Sequence, residues 1–162
     1  MHAVSPNPVE ATTKHLEEHG IAFEVVEHDR ALTAAAEARA AGEEPANAVK
    51  SVLLRDLEGY ELVVLQASDR LDMRKVRERL GEGRSELRLA TEEEMDSDFP
   101  QFELGALPPL GEMLPAPEIV DRHVLDHDRV LCNGGDHTHS ILIDPSEIVR
   151  VSNAEVADVR ED

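Results

Sequence analysis

Lys50 stands in the run AVKSVLL, residues 48–54, with apolar residues on both sides. Such a run reads as a strand, whose alternation puts Lys50, Val52 and Leu54 on one face and Val49, Ser51 and Leu53 on the other. Lysine is almost never fully buried without a partner. Two readings stay open: a lysine snorkelling from an edge strand, or a cation at a pocket mouth, aimed at a carboxylate, a phosphate or a developing oxyanion. A second stretch, NGGDHTHS at 133–140, pairs Gly134 with Gly135, which allows a sharp turn and a close approach to a ligand. A tight turn whose polar side chains meet only water is the alternative. The third stretch is FELGALPPLG, residues 102–111. Gly105 relaxes the backbone while Pro108 and Pro109 fix φ and remove two N–H groups, so a stiff apolar loop is expected.

Other chemistries find less support. His123, Asp126, His127, Asp128, Cys132, His137 and His139 are of metal-binding types, but HExxH and CxxC patterns are absent and strand alternation turns Asp136 and His137 apart. No metal is expected. GxxxxGK[ST] and GxGxxG are absent too, which argues against nucleotide cofactors. There is no GxSxG elbow; Ser51 and Lys50, as strand neighbours, face opposite ways; and Cys132 within VLC reads as a small buried hydrophobe.

The elements that must position these residues fit one domain. The chain has 162 residues, 41% of them hydrophobic, and a single cysteine. No run reaches the roughly 18 apolar residues of a membrane helix. MHAVSPNPVE lacks the basic start and apolar stretch of a signal peptide, so a cytoplasmic location is expected. Thirty-five acidic residues against sixteen basic ones give a net charge of −19. Such a surface repels polyanions at long range and suits a salt-rich cytoplasm, although a genome rich in arginine codons would leave a similar mark. Seven basic residues lie between 70 and 88, among them Arg70, Arg74 and Lys75. Interspersed acids make this stretch a poor duplex-wrapping surface, so DNA is not expected as a partner; a few contacts to a small folded RNA, or a solvated helix face, are the two readings.

Asn7-Pro8-Val9-Glu10 reads as a capped helix start with Glu10 closing a capping box, the helix running to His19 with Val9, Leu16 and Thr13 inward. A strand over 21–26, a helix capped by Thr33, a hairpin of 48–55 with 60–67, and a helix capped by Asp72 follow. Thr91 with Glu94 forms a second capping box. Strands at 118–125, 129–134 and 139–143 precede a short helix from Asp144, after which the acidic end trails off. The expectation is an α+β single domain with a curved, mixed, mostly antiparallel sheet flanked by helices.

Lys50 in AVKSVLL, the loop ELGALPPLG and the turn NGGDHTHSILIDPSEI, in this order, resemble the YbaK/EbsC family, the editing domains associated with prolyl-tRNA synthetase. The resemblance covers about residues 10–152 of a domain taken as 1–162. It implies a trans-editing aminoacyl-tRNA deacylase that hydrolyses the ester of a small mischarged amino acid, of the alanine, cysteine or serine class, on tRNA-Pro. It implies no metal or organic cofactor, no DNA and no membrane. The implied partners are the acceptor end of mischarged tRNA and prolyl-tRNA synthetase. The family's strand lysine falls on Lys50, its glycine-to-proline loop on Gly105, Ala106, Leu107, Pro108 and Pro109, and its late turn on Gly134, Gly135, His137 and Thr138.

An aminoacyl ester is already activated, so orientation of water or of a ribose hydroxyl and stabilisation of the oxyanion suffice. Backbone N–H groups at Gly105 and Ala106 would share that task with Lys50, which would either anchor a phosphate or ribose or polarise the carbonyl. The loop would be a rigid wall of the pocket, with Pro108 and Pro109 in it and Ala106, Leu107 and Leu110 making it apolar and size-selective. Gly134, Gly135, His137 and Thr138 would line the pocket too, and Arg70, Arg74 and Lys75 would be outlying tRNA contacts. A non-catalytic module binding the aminoacylated end is the alternative, followed by a metal-dependent small-molecule hydrolase.

Overall fold

Asparagine and proline open the first helix. In the computed structural model, which describes residues 7–162, α1 (Pro8–Glu18) begins with the Asn7 side chain accepting from Val9 N at 3.1 Å. Glu10 N donates to the Asn7 carbonyl instead, and no capping box forms. The inward threonine is Thr12 rather than Thr13, because Thr12 shares a face with Val9 and Leu16 at helical spacing. The N-terminal reading of residues 1–6 lies outside the described residues.

β1 (Phe23–Glu27) and α2 (Ala34–Ala40), capped by Thr33, lead into the hairpin of β2 (Val49–Asp56) and β3 (Gly59–Gln66). α3 (Met73–Leu80), capped by Asp72, precedes the short β4 (Arg88–Leu89). α4 (Glu92–Asp98) carries the complete Thr91–Glu94 capping box. β5 (Glu118–Asp121), β6 (Val130–Asn133), β7 (His139–Ile143), α5 (Pro145–Ser152) and β8 (Glu155–Ala157) complete the chain. The expected α+β class holds.

The strands divide into two sheets, one more than the sequence reading expected: β1-β7-β6, all antiparallel, and β4-β2-β3-β5-β8. In the second sheet β5 pairs with β3 and β8 with β5 in parallel. One parallel bridge, Ala48 to Leu131, joins the sheets. The expected strand over 118–125 stops at Asp121, whose side chain accepts His123 N at 2.9 Å and starts a 3-10 turn, Arg122–Asp126. The chain end is anchored rather than trailing. Asp121 Oδ2 accepts Val159 N at 2.8 Å, and Glu161 N donates to the Arg70 carbonyl at 2.7 Å.

β3 is apolar over Leu62–Leu65 because both of its faces are covered, as parallel-paired strands require. One face joins Leu53, Leu62 and Val64 to Phe102, Leu107, Leu110 and Ile141; the other joins Leu54 and Val63 to Val76 of α3. α2 is rich in alanine because Ala38 packs against Ala48 and Leu131 at the bridge between the sheets. Cys132 is buried, and burial pushes its thiol pKa far up, in keeping with a hydrophobe. No helix among the described residues is long and apolar enough to cross a membrane.

Gly111 fixes the turn that follows the apolar loop. Its N–H donates to Glu118 Oε1 at 2.6 Å, and a Cβ there would strike the Ala116 carbonyl and lie 3.0 Å from Glu118 Oε1. Gly111→Ala is expected to cost about 2–3 kcal/mol, lowering Tm by roughly 5–10 °C in a thermal melt.

Burial pushes the carboxyl of Glu118 up to about 8, against the Gly111 N–H, and that of Glu61 to about 7, against Arg84. A carboxyl whose pKa rises on folding holds its proton more tightly folded than unfolded. Its contribution to stability is complete below the ordinary carboxylate range and is lost as pH climbs through about 7 to 8. Each excess proton is worth about 1.4 kcal/mol per pH unit, so two pH units lower Tm by roughly 5–10 °C per group. Melts between about pH 5 and 8.5 are expected to show Tm falling with pH, and Glu118→Gln, which keeps an acceptor for Gly111, to flatten the slope.

Candidate active site

A small cleft lies between the start of α2, strand β2 and the loop after Glu103. Its lining includes Thr33, Glu37, Lys50, Ser51, Gly105 and Asn133, and its volume is about 60 Å³. One water needs about 10–15 Å³ on this measure, so the cleft holds a few heavy atoms. A second, more apolar hollow of about 200 Å³ adjoins it, with Leu53, Ala90 and Met95, and the two share Ser51, Gly105 and Leu107.

Lys50 is half-buried, and its Nζ donates to the Asp69 carbonyl. Burial lowers its pKa, the Asp69 charge opposes that shift, and Arg70 adds to it. The Asp69 carboxylate is already engaged by Gln66 Nε2 at 2.8 Å and Arg160 Nη1 at 3.1 Å. Lys14 pairs with Glu18 at 4.0 Å and Lys75 with Asp162 at 2.9 Å, whereas Lys50 has no carboxylate partner among the described residues. In a chain with 35 acidic residues that is conspicuous. Asp69 does not line the cleft, so the ammonium rests to one side of it, on a stem long enough to swing in.

Gly105 has φ of +80°, and a Cβ there would meet only His137 Cε1 at 3.9 Å, so backbone conformation is what requires glycine. Its N–H has no acceptor among the described residues, while Ala106 N donates to Glu103 O at 2.9 Å. Ala106, wholly buried, does not line the cleft, and its N–H is not available to a substrate. Leu107 does line it; Pro108 and Pro109 are buried behind the wall.

The glycine turn contributes through its neighbours. Gly134 and Gly135 are buried outside the cleft, where a Cβ on Gly135 would lie 3.0 Å from Pro8 and 3.2 Å from Phe102. The cleft residue is Asn133, whose Oδ1 accepts Gly135 N at 2.9 Å and whose Nδ2 donates to Glu37 Oε2 at 3.0 Å. His137 fastens the walls to each other: its ring nitrogens face the carbonyls of Ala31 at 3.1 Å and Leu104 at 2.8 Å. Thr138 packs on Asp136, which accepts its N–H at 3.0 Å and His139 N at 2.9 Å. The histidines weighed as metal ligands are dispersed: His123 on Asp121 at 2.7 Å, His127 on Gln66 at 2.5 Å, His139 on Asp136 at 3.0 Å. Of the basic residues, Arg70 is exposed beside Glu161 at 3.9 Å and Arg74 beside Asp72 at 3.7 Å, while Lys75 is tied to the Arg160 carbonyl at 2.7 Å and to Asp162.

Glu37 is the residue that the sequence reading missed. It is 4% exposed, lines the cleft, and accepts from the buried Ser140 hydroxyl, which also contacts His28 Nε2 at 2.7 Å. His28 Nδ1 lies 2.7 Å from the Asp29 carbonyl, an acceptor only, so that nitrogen carries a proton. The Ser140 hydroxyl answers to either state of the carboxyl: it donates to Glu37 when Glu37 is ionised, and accepts from it when Glu37 is neutral, then donating to His28 Nε2. Burial pushes Glu37 up to about 7, with Asp136 raising it further and Ser140, His28 and Asn133 opposing. A carboxyl that exchanges its proton near neutrality therefore faces the cleft opposite a lysine.

A family model for the aminoacyl-tRNA editing domain matches residues 28–151. The chain belongs to that family. The match takes in every cleft residue, from the Leu32 end to Asn133, and leaves α1, β1 and β8 outside. The solved structures agree that this is a YbaK/EbsC-like editing domain. A protein assigned as a trans-editing enzyme for prolyl tRNA synthetase shares 30% identity with it, TM-score 0.84, over 99% of this chain and 100% of the other. A hypothetical protein gives 26% identity and TM-score 0.82 over 96% and 100%. A structure from the computational grafting of linear epitopes onto scaffold proteins gives 28% and 0.84 over 98% and 99%. No curated protein matches the chain. Membership in this family points to a deacylase type of chemistry.

Proposed function

We propose that this editing domain is a trans-editing deacylase that hydrolyses the ester of a small mischarged amino acid, of the alanine, cysteine or serine class, on tRNA-Pro. The observation that carries the reading is Lys50: a half-buried ammonium beside a cleft, held by a neutral carbonyl and, among the described residues, by no carboxylate, in a chain of net charge −19. Such a group is free to meet an anion. We assign it to the terminal phosphate and the developing oxyanion of the acceptor end, with exposed Arg70 next to it.

The cleft of about 60 Å³ takes the aminoacyl side chain, and its size supports a small one. Binding differences of about 1–3 kcal/mol per methylene are too small for accurate charging, which is why a second sieve is useful. The adjoining apolar hollow takes the terminal nucleoside. Gly105 N–H donates to the carbonyl oxygen as it becomes tetrahedral. Glu37, when ionised, accepts a proton from the attacking water and returns it to the departing ribose oxygen; the C–O ester bond breaks, and free amino acid and tRNA leave. No cofactor is required for these steps. The partners are the acceptor end of mischarged tRNA and prolyl-tRNA synthetase, the enzyme for which the similar protein is assigned as a trans-editing enzyme; the setting is the cytoplasm.

The test is release of amino acid from a panel of alanyl-, cysteinyl-, seryl- and prolyl-tRNAs carrying the proline anticodon, at low and near-molar salt. Release of one small amino acid, with prolyl-tRNA spared, is expected. Folded protein that releases none at either salt would overturn the enzyme reading in favour of a binding module.

A further inference from the structure

His15 and His19 stand four residues apart on α1, hence on one face, and Glu112 reaches them from the 3-10 turn Gly111–Met113. One nitrogen of each imidazole and one Glu112 oxygen lie within 4.8 Å of one another. His19 Nδ1 is 2.8 Å from the His15 carbonyl, which only accepts, so this nitrogen holds the proton and Nε2 presents a lone pair. That Nε2 lies 3.7 Å from Glu112 Oε1. His15 Nε2 is shut off from solvent and has no hydrogen-bond partner among the described residues. A buried imidazole nitrogen with nothing to bond is costly, and a metal ion would satisfy it.

We propose that His15, His19 and Glu112 form a binding site for a zinc-type divalent ion that clips α1 to the turn behind the cleft loop. Two imidazoles and a carboxylate suit zinc and its nitrogen-seeking neighbours and disfavour magnesium and calcium. A backbone carbonyl bonded to the far nitrogen of His19 is the usual means of orienting a ligating histidine. Around tetrahedral zinc, ligand atoms sit about 3.4 Å apart, so the three groups need only close in by roughly 1 Å, and half-exposed Glu112 is free to move. Two cations lie close by in the structure or the chain, and each has an acid: Arg150, at the His19 carbonyl, pairs with Glu147, and Lys14 with Glu18. Both histidines precede the span of the family match, so the clip belongs to this chain's own N-terminal helix. Its consequence is local: the turn it holds contains Gly111 and directly follows Leu110 of the core, three residues beyond Leu107 of the cleft.

The test uses full-length protein stripped with a chelator, then titrated with Zn²⁺, Co²⁺ or Mg²⁺. Zinc is expected to raise Tm by several degrees at a hundredfold excess over its dissociation constant, with magnesium inert. Cobalt is expected to give the intense visible band of tetrahedral coordination. His19→Asn and Glu112→Gln, both at partly exposed side chains and checked for native circular dichroism, are each expected to weaken zinc binding at least tenfold. Absence of the zinc shift and of the cobalt band in the wild type overturns the proposal, as does zinc binding that both variants leave unchanged.

Discussion

Lys50→Ala is expected to slow ester cleavage by about 10²–10³-fold under single-turnover conditions while leaving Tm within a few degrees of wild type. The asymmetry follows from the partner. Among the described residues Lys50 donates only to the Asp69 carbonyl, so the fold gives up one hydrogen bond of ordinary strength and is relieved of a half-buried charge. A tetrahedral oxyanion loses its cation altogether. Lys50→Arg is expected to recover little, because a planar guanidinium cannot follow the same path into a cleft of about 60 Å³. Equal rates for wild type and Lys50→Ala, measured by release of amino acid from the same charged tRNA, would reduce Lys50 to a snorkelling strand lysine.

Glu37→Gln is expected to lower the rate by about 10²–10⁴-fold and to remove one limb of its pH profile. In the wild type the rate should climb as Glu37 loses its proton through about pH 7 and then level off, once the uncatalysed hydroxide reaction is subtracted. The groups that bias this step are Ser140, His28, Asp136 and Asn133, from β7, the segment before α2 and the glycine turn. Glutamine reproduces the neutral arrangement, since its amide donates to Ser140 and its oxygen accepts from Asn133. The folded structure should therefore survive, and a drop in rate would report chemistry. Glu37→Leu would instead strand two buried polar side chains and lower Tm as well. A Glu37→Gln variant with wild-type rate and profile would leave the carboxyl a purely structural role.

What the sequence made legible was local. The Thr91–Glu94 capping box, the Asp72 cap and the β2–β3 hairpin each depend on residues a few positions apart, and all formed as expected. Gly105 and Lys50 stood out because glycine before a double proline and lysine inside an apolar strand contradict the habits of their elements. Glu37 was hidden for the opposite reason. Its partner Ser140 is 103 residues away and Asn133 is 96 away, and only the packing of α2 under the bridge between the sheets brings them together. One signal was available: in AAAEARA no basic residue stands three or four positions from Glu37, and the small neighbours imply close packing, so a lone acid there points inward. Ala106 misled because the loop was read as a row of free donors, whereas its tight turn commits that N–H to Glu103.

The bridge between Ala48 and Leu131 has a further consequence for selectivity. Lys50 and Ser51 belong to one sheet and Asn133 to the other, so the cleft straddles a seam crossed by one backbone bridge and closed by a shared core, in which Leu53, Leu62 and Val64 of one sheet meet Val130, Cys132 and Ile141 of the other. The width of the cleft is thus set by how that core packs the two sheets against each other. Under the proposed function, discrimination between a methyl and a larger side chain would reside partly in core residues that no substrate touches, so that fidelity would depend on how two sheets are packed as well as on the groups that line the cleft.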